Sequence, residues 1–401
     1  MELLVIDYHS KMMRLLISKN VQVQSNEDSD FREDNMNTDT ALIFSWLNVL
    51  NIKRFNALKE KFGSLDEALG HIDQDLLKNL GCQEETIFGA LNRMDECDPG
   101  SYQAELTKRS ISLITIEDAE YPARLKQIAD PPVFLYYKGS LDILSEPTIA
   151  CVGKREMSTY GLRVVDQFIP AFINGGVVTV SGLATGIDAA VAKESIRSNG
   201  KTVAVVGHGL ADIYPAANRG LAKEIIENGG LILSEFPLDH PADKYTFPAR
   251  NRIIAGLSLG TVVLEAGEGS GACITAELAL DYGRDVFAVP GQIFDAHYSG
   301  CHQLIARGQA KLAQSPEDVM TEIGIVTSVE TRHGASLQKY NPVDSDEEII
   351  MQVLTTMPQS TSDLVEKAQL DMAVINAKLT MLELNGVVKN VGNGMWVRGV
   401  V

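Results

Sequence analysis

The sequence predicts an α/β protein: an extended Rossmann-like, doubly wound parallel sheet with a small N-terminal helical domain and a C-terminal winged-helix domain. Three observations predict it. Six short, apolar, β-prone runs are separated mostly by helix-length segments: TIACVG (148–153), GGVVTVSG (175–182), KTVAVVG (201–207), GGLILSE (229–235), GTVVLEA (260–266) and RDVFAVPG (284–291). Near-continuous apolar strands alternating with helices mean a parallel sheet covered on both faces. Upstream, Phe44, Leu47, Leu50, Phe55, Leu58 and Phe62 recur at helical spacing, with Gly63 and Gly81 where helices could stop. Downstream, residues 344–399 read as three helices followed by a hairpin, with Asn393-Gly394 near its turn.

These observations divide the chain into an N-terminal segment with an acidic linker (1–40), a small helical domain of helix-hairpin-helix or SAM-like size (41–110), the Rossmann-like core (111–322), a linker (323–343) and the winged helix (344–401). Residues 22–40 carry six acids and one Arg among few apolar groups, so they read as solvated chain. Residues 1–21 read as a short docked element or as the product of a misplaced start site. The hairpin turn of the small helical domain reads Asn51-Ile52-Lys53-Arg54 and lacks the Gly that lets such turns present N–H groups to phosphate, so a packing or partner role is expected there.

Charge limits the function. The net charge of −18 argues against an open surface that wraps duplex DNA. The acid is uneven: residues 151–310 are nearly neutral at −3, and the remainder carries −15. Any anion site is therefore a local cluster in the core. Five scattered cysteines form no C-x-x-C pair, so neither a disulfide framework nor a metal site is expected. No apolar run approaches the ~18 residues of a membrane helix, and the N-terminus lacks a secretory pattern. A cytoplasmic protein with no membrane association is expected. There is no P-loop and no nucleophile–base or metal-ligand spacing, so neither a cofactor nor enzyme activity is expected.

In open parallel sheets, ligands bind outside the carboxyl ends of the strands. Those ends are rich here in Gly, Ser and cations. The first run ends in Gly153-Lys154-Arg155, the second in Ser181-Gly182 with Thr185-Gly186 opening a helix, and the third in Gly207-His208-Gly209. The fifth leads to Gly269-Ser270, with Thr275 in the next helix. Glycine lets backbone N–H groups approach a ligand, and helix N-termini favour anions. Arg155 offers a bidentate phosphate contact. The segment Phe247-Pro248-Ala249-Arg250-Asn251-Arg252 places two Arg residues around an Asn at a helix start, which suits phosphate or ribose.

The successive segments GKREMSTYG, VSGLATGIDAA, GKTVAVVGHGLADIYPAANRGL, SEFPLDHPADKYTFPARNRIIAGLS, GSGACITAELALDYGRDVFAVPG and SGCHQLIARGQAKL resemble, in order and spacing, the signatures of the DNA-processing protein A (DprA/Smf) family. The resemblance is close over about residues 115–318 and looser in the flanking domains. It implies an extended Rossmann core that acts as a homodimer and binds single-stranded DNA in a positively charged pocket. It also implies protection of incoming DNA and loading of a RecA-type recombinase during natural transformation. By resemblance, Arg155 is the pocket Arg after the first strand and Lys201 the Lys before the third. Ser181, Gly182 and Gly186 form the phosphate-facing loop, Asn218 lies in YPAANRG, and Arg250, Asn251 and Arg252 form the RNR step. Three positions depart from the family pattern: Lys154 replaces a small residue, Ala192 a His, and His208 a small polar residue. His208 reads either as a pH sensor or as loop lining.

Two other readings compete. A nucleotide N-glycosidase of the lysine-decarboxylase-like Rossmann group would use Glu265 or Glu277 as its carboxylate. A nucleotide-sensing or partner-binding module needs no such group. The segment Ser299–Leu312 is a candidate dimer surface, because Leu304 and Ile305 would otherwise be exposed; the alternative is that they pack internally after the last strand. The winged helix is expected not to be the main DNA reader. Its third-helix region offers only Lys378 against Asp371 and Glu383, its wing adds Lys389 and Arg398, and its first helix opens with Asp344, Asp346, Glu347 and Glu348.

Overall fold

The computed structural model describes residues 36–325, 342, 344–355, 358–384, 387–392 and 394–398. The expected N-terminal segment up to 35, most of the expected linker, and Asn393 lie outside the described residues. The chain forms two compact units.

The first unit comprises residues up to 137 with 209–211 and 235–240. It contains helices α1 (Thr38–Leu47), α2 (Ile52–Phe62), α3 (Leu65–Leu69), α4 (Gln74–Asn79), α5 (Glu84–Glu96) and α6 (Pro99–Lys108). Asn37, Asn51, Ser64, Asp73 and Asp98 each cap a helix through a side-chain oxygen. The first helix thus starts at Thr38, a few residues before the expected domain start. Phe44, Leu47, Leu58, Leu77 and Leu106 are fully buried between these helices. Arg54, from the stretch without glycine and in the first turn of α2, donates to the carbonyls of Val49, Leu80 and Gly81. Its guanidinium ties two chain turns together, which fits the packing role expected of that turn.

Strand β1 (Ser112–Thr115), the short helix α7 (Ala123–Lys126) and strand β2 (Phe134–Gly139) follow, with β1 and β2 antiparallel. A buried hydrogen-bond chain runs from Tyr102 to Tyr136 (3.0 Å) and on to Ser45 (2.7 Å). That chain fastens the hairpin to the helices, and the first unit runs through residue 137.

The second unit holds strands β3 (Thr148–Gly153), β4 (Val178–Ser181), β5 (Thr202–Val206), β6 (Leu231–Ser234), β7 (Gly260–Glu265), β8 (Asp285–Ala288) and β9 (Lys311–Leu312). Their order is β6-β5-β4-β3-β7-β8-β9, with neighbours parallel throughout. The six expected runs became β3 to β8. Helices α8 (Thr159–Asn174), α9 (Ile187–Arg197), α10 (Arg219–Glu227), α11 (Thr246–Leu257), α12 (Gly271–Asp281), α13 (Ser299–Ala306) and α14 (Pro316–Glu322) complete the doubly wound fold. Strands β3, β5 and β7 are buried along nearly their whole length, as helices on both faces require. Val165, Phe168 and Phe172 of α8 pack against Ile149 and Val262 of the sheet. Truncating either Phe would cost about 3–5 kcal/mol. The chain runs outward from β3 to β6 and then returns to the other side of β3, which places the topological switch point between β3 and β7.

The winged helix comprises α15 (Ser345–Val353), β10 (Gln359–Ser360), α16 (Thr361–Ala368), α17 (Met372–Leu384), β11 (Val388–Asn390) and β12 (Met395–Arg398). The strands form an antiparallel sheet in the order β10-β12-β11, adding one short strand to the expected hairpin. Ile350, Leu364, Leu379 and Trp396 sit in its core. Among the described residues, no helix is long and apolar enough to cross a membrane.

Candidate nucleic-acid interface

The loops after β3 and β4 are locked together by a buried carboxylate. Asp188, in the first turn of α9, accepts from the Gly182 N–H at 3.1 Å, and the N–H groups of Ala184 and Gly153 also point to it. The backbone donors that the sequence suggested would hold phosphate thus already hold an anion supplied by the chain. Ile187, the first residue of α9, donates its N–H to the Lys154 carbonyl at 3.1 Å. Burial raises the Asp188 carboxyl above its ordinary range, opposed by the Arg250 charge and by these N–H groups.

Arg250 is the counter-charge. It is 4% exposed, lies beneath Gly182, and donates to the Val205 carbonyl of β5. A Cβ on Gly182 would stand 2.3 Å from its guanidinium, so only glycine leaves room for it. Burial lowers the Arg250 pKa to about 10, against the pull of Asp188. The first Arg of the RNR step is therefore a buried strut joining the ends of β4 and β5, not a surface ligand. Asn251 reaches the Gly271 carbonyl at 3.3 Å and braces α11 against the start of α12. Arg252 is partly exposed, with one N–H toward the Ala249 carbonyl.

The remaining sequence candidates separate into supports and surface. Gly153, Gly186 and Gly209 are close-approach positions: a Cβ there would lie 2.6 Å from Ile187, 2.3 Å from the Lys154 carbonyl and 2.0 Å from the Pro237 carbonyl. Gly207 packs similarly against Thr246 and Phe247. Ser181 and Thr275 are buried, and Asn218 is buried with its amide on the carbonyls of Leu183 and Ala184, holding the β4 loop. His208 is also buried and accepts the Tyr214 N–H at Nε2, so it lines the loop. Thr185, Arg155 and Gly269 are exposed, Lys154 and Ser270 are half-buried, and a Cβ on Gly269 would meet nothing within 4 Å. Ser270 caps α12 by accepting from Ala272.

Lys201 is a correction. It directly precedes β5, so it stands at the amino edge of a parallel sheet whose candidate ligands gather at the carboxyl edge. Five strand residues at ~3.3 Å each separate the two edges, and Lys201 cannot join Arg155 in one pocket.

The surface that remains has a composition the sequence reading did not pick out. The Arg155 guanidinium lies 5.1 Å from the Phe247 ring centroid. Tyr214 stands tilted beside Phe247 at 5.9 Å and is 55% exposed. Lys244 lies over Tyr245, which is 73% exposed. The alternation of cations and aromatics in DKYTF (243–247) was the available signal. Arg155 and Lys244 enter no ion pair among the described residues. Exposed aromatic rings, Tyr214 and Tyr245, set beside cations match the two parts of a nucleotide, base and phosphate.

Fold and site define the class: a Rossmann-type sheet protein with a cationic, aromatic carboxyl edge and an appended winged helix. The family profile described as DNA recombination-mediator protein A matches residues 112–324, and the DprA winged-helix profile matches residues 335–394. The DNA processing protein DprA of Streptococcus pneumoniae is 43% identical over 257 residues, spanning 63% of this chain and 89% of that protein. The DprA of Bacillus subtilis is 42% identical over 221 residues, spanning 55% and 74%. The solved structure of the Streptococcus pneumoniae protein superposes with a TM-score of 0.60 at 37% identity, covering 72% of this chain and 98% of that one. The chain belongs to the DNA-processing protein A (DprA/Smf) family, as its motifs suggested.

Proposed function

We propose that this protein binds single-stranded DNA along the carboxyl edge of its Rossmann sheet, protects incoming DNA, and passes it to a RecA-type recombinase during natural transformation. The observation that carries the reading is the stack of Arg155 on Phe247 with Tyr214 beside it. Unpaired bases expose faces that such rings can cover, whereas duplex bases do not. The edge binds without turnover. Of the two carboxylates a glycosidase could use, Glu265 has a fully buried side chain engaged by Ser158 and His297, where it cannot meet a sugar, and Glu277 is exposed within α12. Membership of a DNA-processing family supports the same reading, with the protein acting in the cytoplasm.

The protein acts as a homodimer through the β9 edge. Leu304 packs internally, the alternative the sequence left open, but Ile305 is half-buried and Leu312 on the edge strand is 44% exposed. Light scattering of the intact chain should report twice the monomer mass. The function is tested by anisotropy titration of a labelled oligo-dT and a matched duplex across a salt series. Tight, salt-sensitive binding of the single strand alone is expected; equal binding of both would overturn the reading.

A further inference from the structure

At the switch point between β3 and β7, a second group of charged side chains faces the same edge. The Glu265 carboxylate closes β7 and has no exposed side-chain surface. It accepts from the Ser158 N–H and hydroxyl at 3.1 Å, and its Oε1 lies 2.7 Å from Nδ1 of His297. Gly161 makes room for it, since a Cβ there would lie 1.7 Å from its oxygen. Lys154, the residue before Arg155, brings its ammonium to 3.4 Å from the same His297 nitrogen. Its backbone N–H bonds the Glu265 carbonyl at 2.9 Å, which fastens the two strand ends together.

This arrangement fixes the imidazole. A buried carboxylate at 2.7 Å holds the proton on Nδ1 and sets the ring plane, so Nε2 is the free nitrogen. The His297 side chain is 36% exposed, and Nε2 takes no protein partner among the described residues. The charges then count simply. With His297 neutral, Lys154 and Glu265 cancel. A proton on Nε2 leaves one uncompensated positive charge on a side chain that is 36% exposed, at the same sheet edge as Arg155.

We propose that His297, oriented by the buried Glu265 and flanked by Lys154, is a further phosphate contact of the DNA site, made in its protonated form. The inference rests on the proposed DNA reading and adds a pH dependence to it. Three charged or titratable side chains besides Lys154 and Glu265 bear on the imidazole. Asp295, in its own loop, accepts the His297 backbone N–H at 2.9 Å. The Tyr298 hydroxyl, kept protonated by burial and by Glu265, adds no charge. Arg155 follows Lys154 in the chain, with its guanidinium against Phe247.

The test titrates the full-length protein with oligo-dT at fixed ionic strength from pH 8 to pH 5.5, repeating a salt series at each end. Protonation of His297 should add one phosphate contact, raising the log–log salt slope by about 0.7 at the acid end. In His297→Gln the slope should show no acid increment, and in His297→Arg the larger slope should persist at pH 8. A parent slope that does not move with pH, or a His297→Gln protein that titrates like the parent, overturns the proposal. Circular dichroism and denaturant unfolding of both variants report folding, because each substitution changes a partner of the buried Glu265. Failure of the DNA site itself is separately visible, since Arg155→Ala would then leave affinity unchanged at both pH values.

Discussion

At the carboxyl edge of the parallel sheet, Arg155 lies against Phe247 and takes no carboxylate partner among the described residues. The winged helix treats its central cation differently: Lys378 of α17 is bonded to Asp344 and lies 3.5 Å from Glu347, both at the start of α15. Both regions carry few cations on an acidic chain, but they use them differently. The edge leaves its charge available and gives it aromatic neighbours. In the winged helix Lys378 serves the domain's own helix packing, Lys389 pairs with Asp166 of α8 at 3.3 Å, and Arg398 turns toward the Met351 carbonyl at 3.4 Å. A winged helix that reads DNA presents cations from its third helix and wing, and one whose third-helix Lys is neutralised by acids is suited to another partner. The lesson is that net charge is a poor guide to a nucleic-acid site, and the pairing of each cation is a better one.

The largest expected effect tests which Arg residues belong to the edge. Arg250→Ala leaves Asp188 buried without its counter-charge and should cost about 3–5 kcal/mol, read as a lower midpoint in denaturant unfolding. A stable Arg250→Ala protein that has lost DNA affinity would instead make Arg250 a phosphate ligand. Phe247→Ala should weaken oligo-dT binding by about 1–3 kcal/mol while the salt slope stays near the parent value. Arg155→Ala should lower the slope by about 0.7. These two variants separate stacking from charge in anisotropy titrations. If both changed only the slope, the aromatic face would play no part. The smallest effects should come from Lys201→Ala and Lys378→Ala, with oligo-dT affinity unchanged in each. A measurable loss at Lys378 would erase the contrast between the two regions.

Much of this was legible in the sequence. The six central strands stood out because each apolar run is bounded by Gly or polar residues, and the winged helix because its apolar spacing changes from helical to alternating. Strand β9 was invisible: Lys311 and Leu312 are both exposed and carry no pattern. The site was less legible. In a sequence Asp188 is an ordinary acid in the first turn of a helix, and only the folded chain brings it under the N–H groups of Gly182 and Gly153. Two errors were avoidable. Arg250 falls on the same helical stripe as Ile253, Ile254 and Leu257, all buried, so its inward direction could be read from spacing alone. Lys201 precedes its strand, and strand polarity in a parallel sheet places such a residue on the amino edge. The cluster of Lys154, Glu265 and His297 spans 143 residues of chain, and no local motif announces it.

The central claim is that the Rossmann edge, and not the winged helix, grips the strand. The most direct test is oligo-dT titration of a chain ending after residue 325, with its folding and oligomeric state checked by circular dichroism and light scattering. The shortened protein is expected to keep single-strand affinity within about threefold of the parent, with the same salt slope, since it loses no phosphate contact. If it stays folded and keeps its oligomeric state but loses most of its affinity, the winged helix holds the DNA and the site has been placed on the wrong domain.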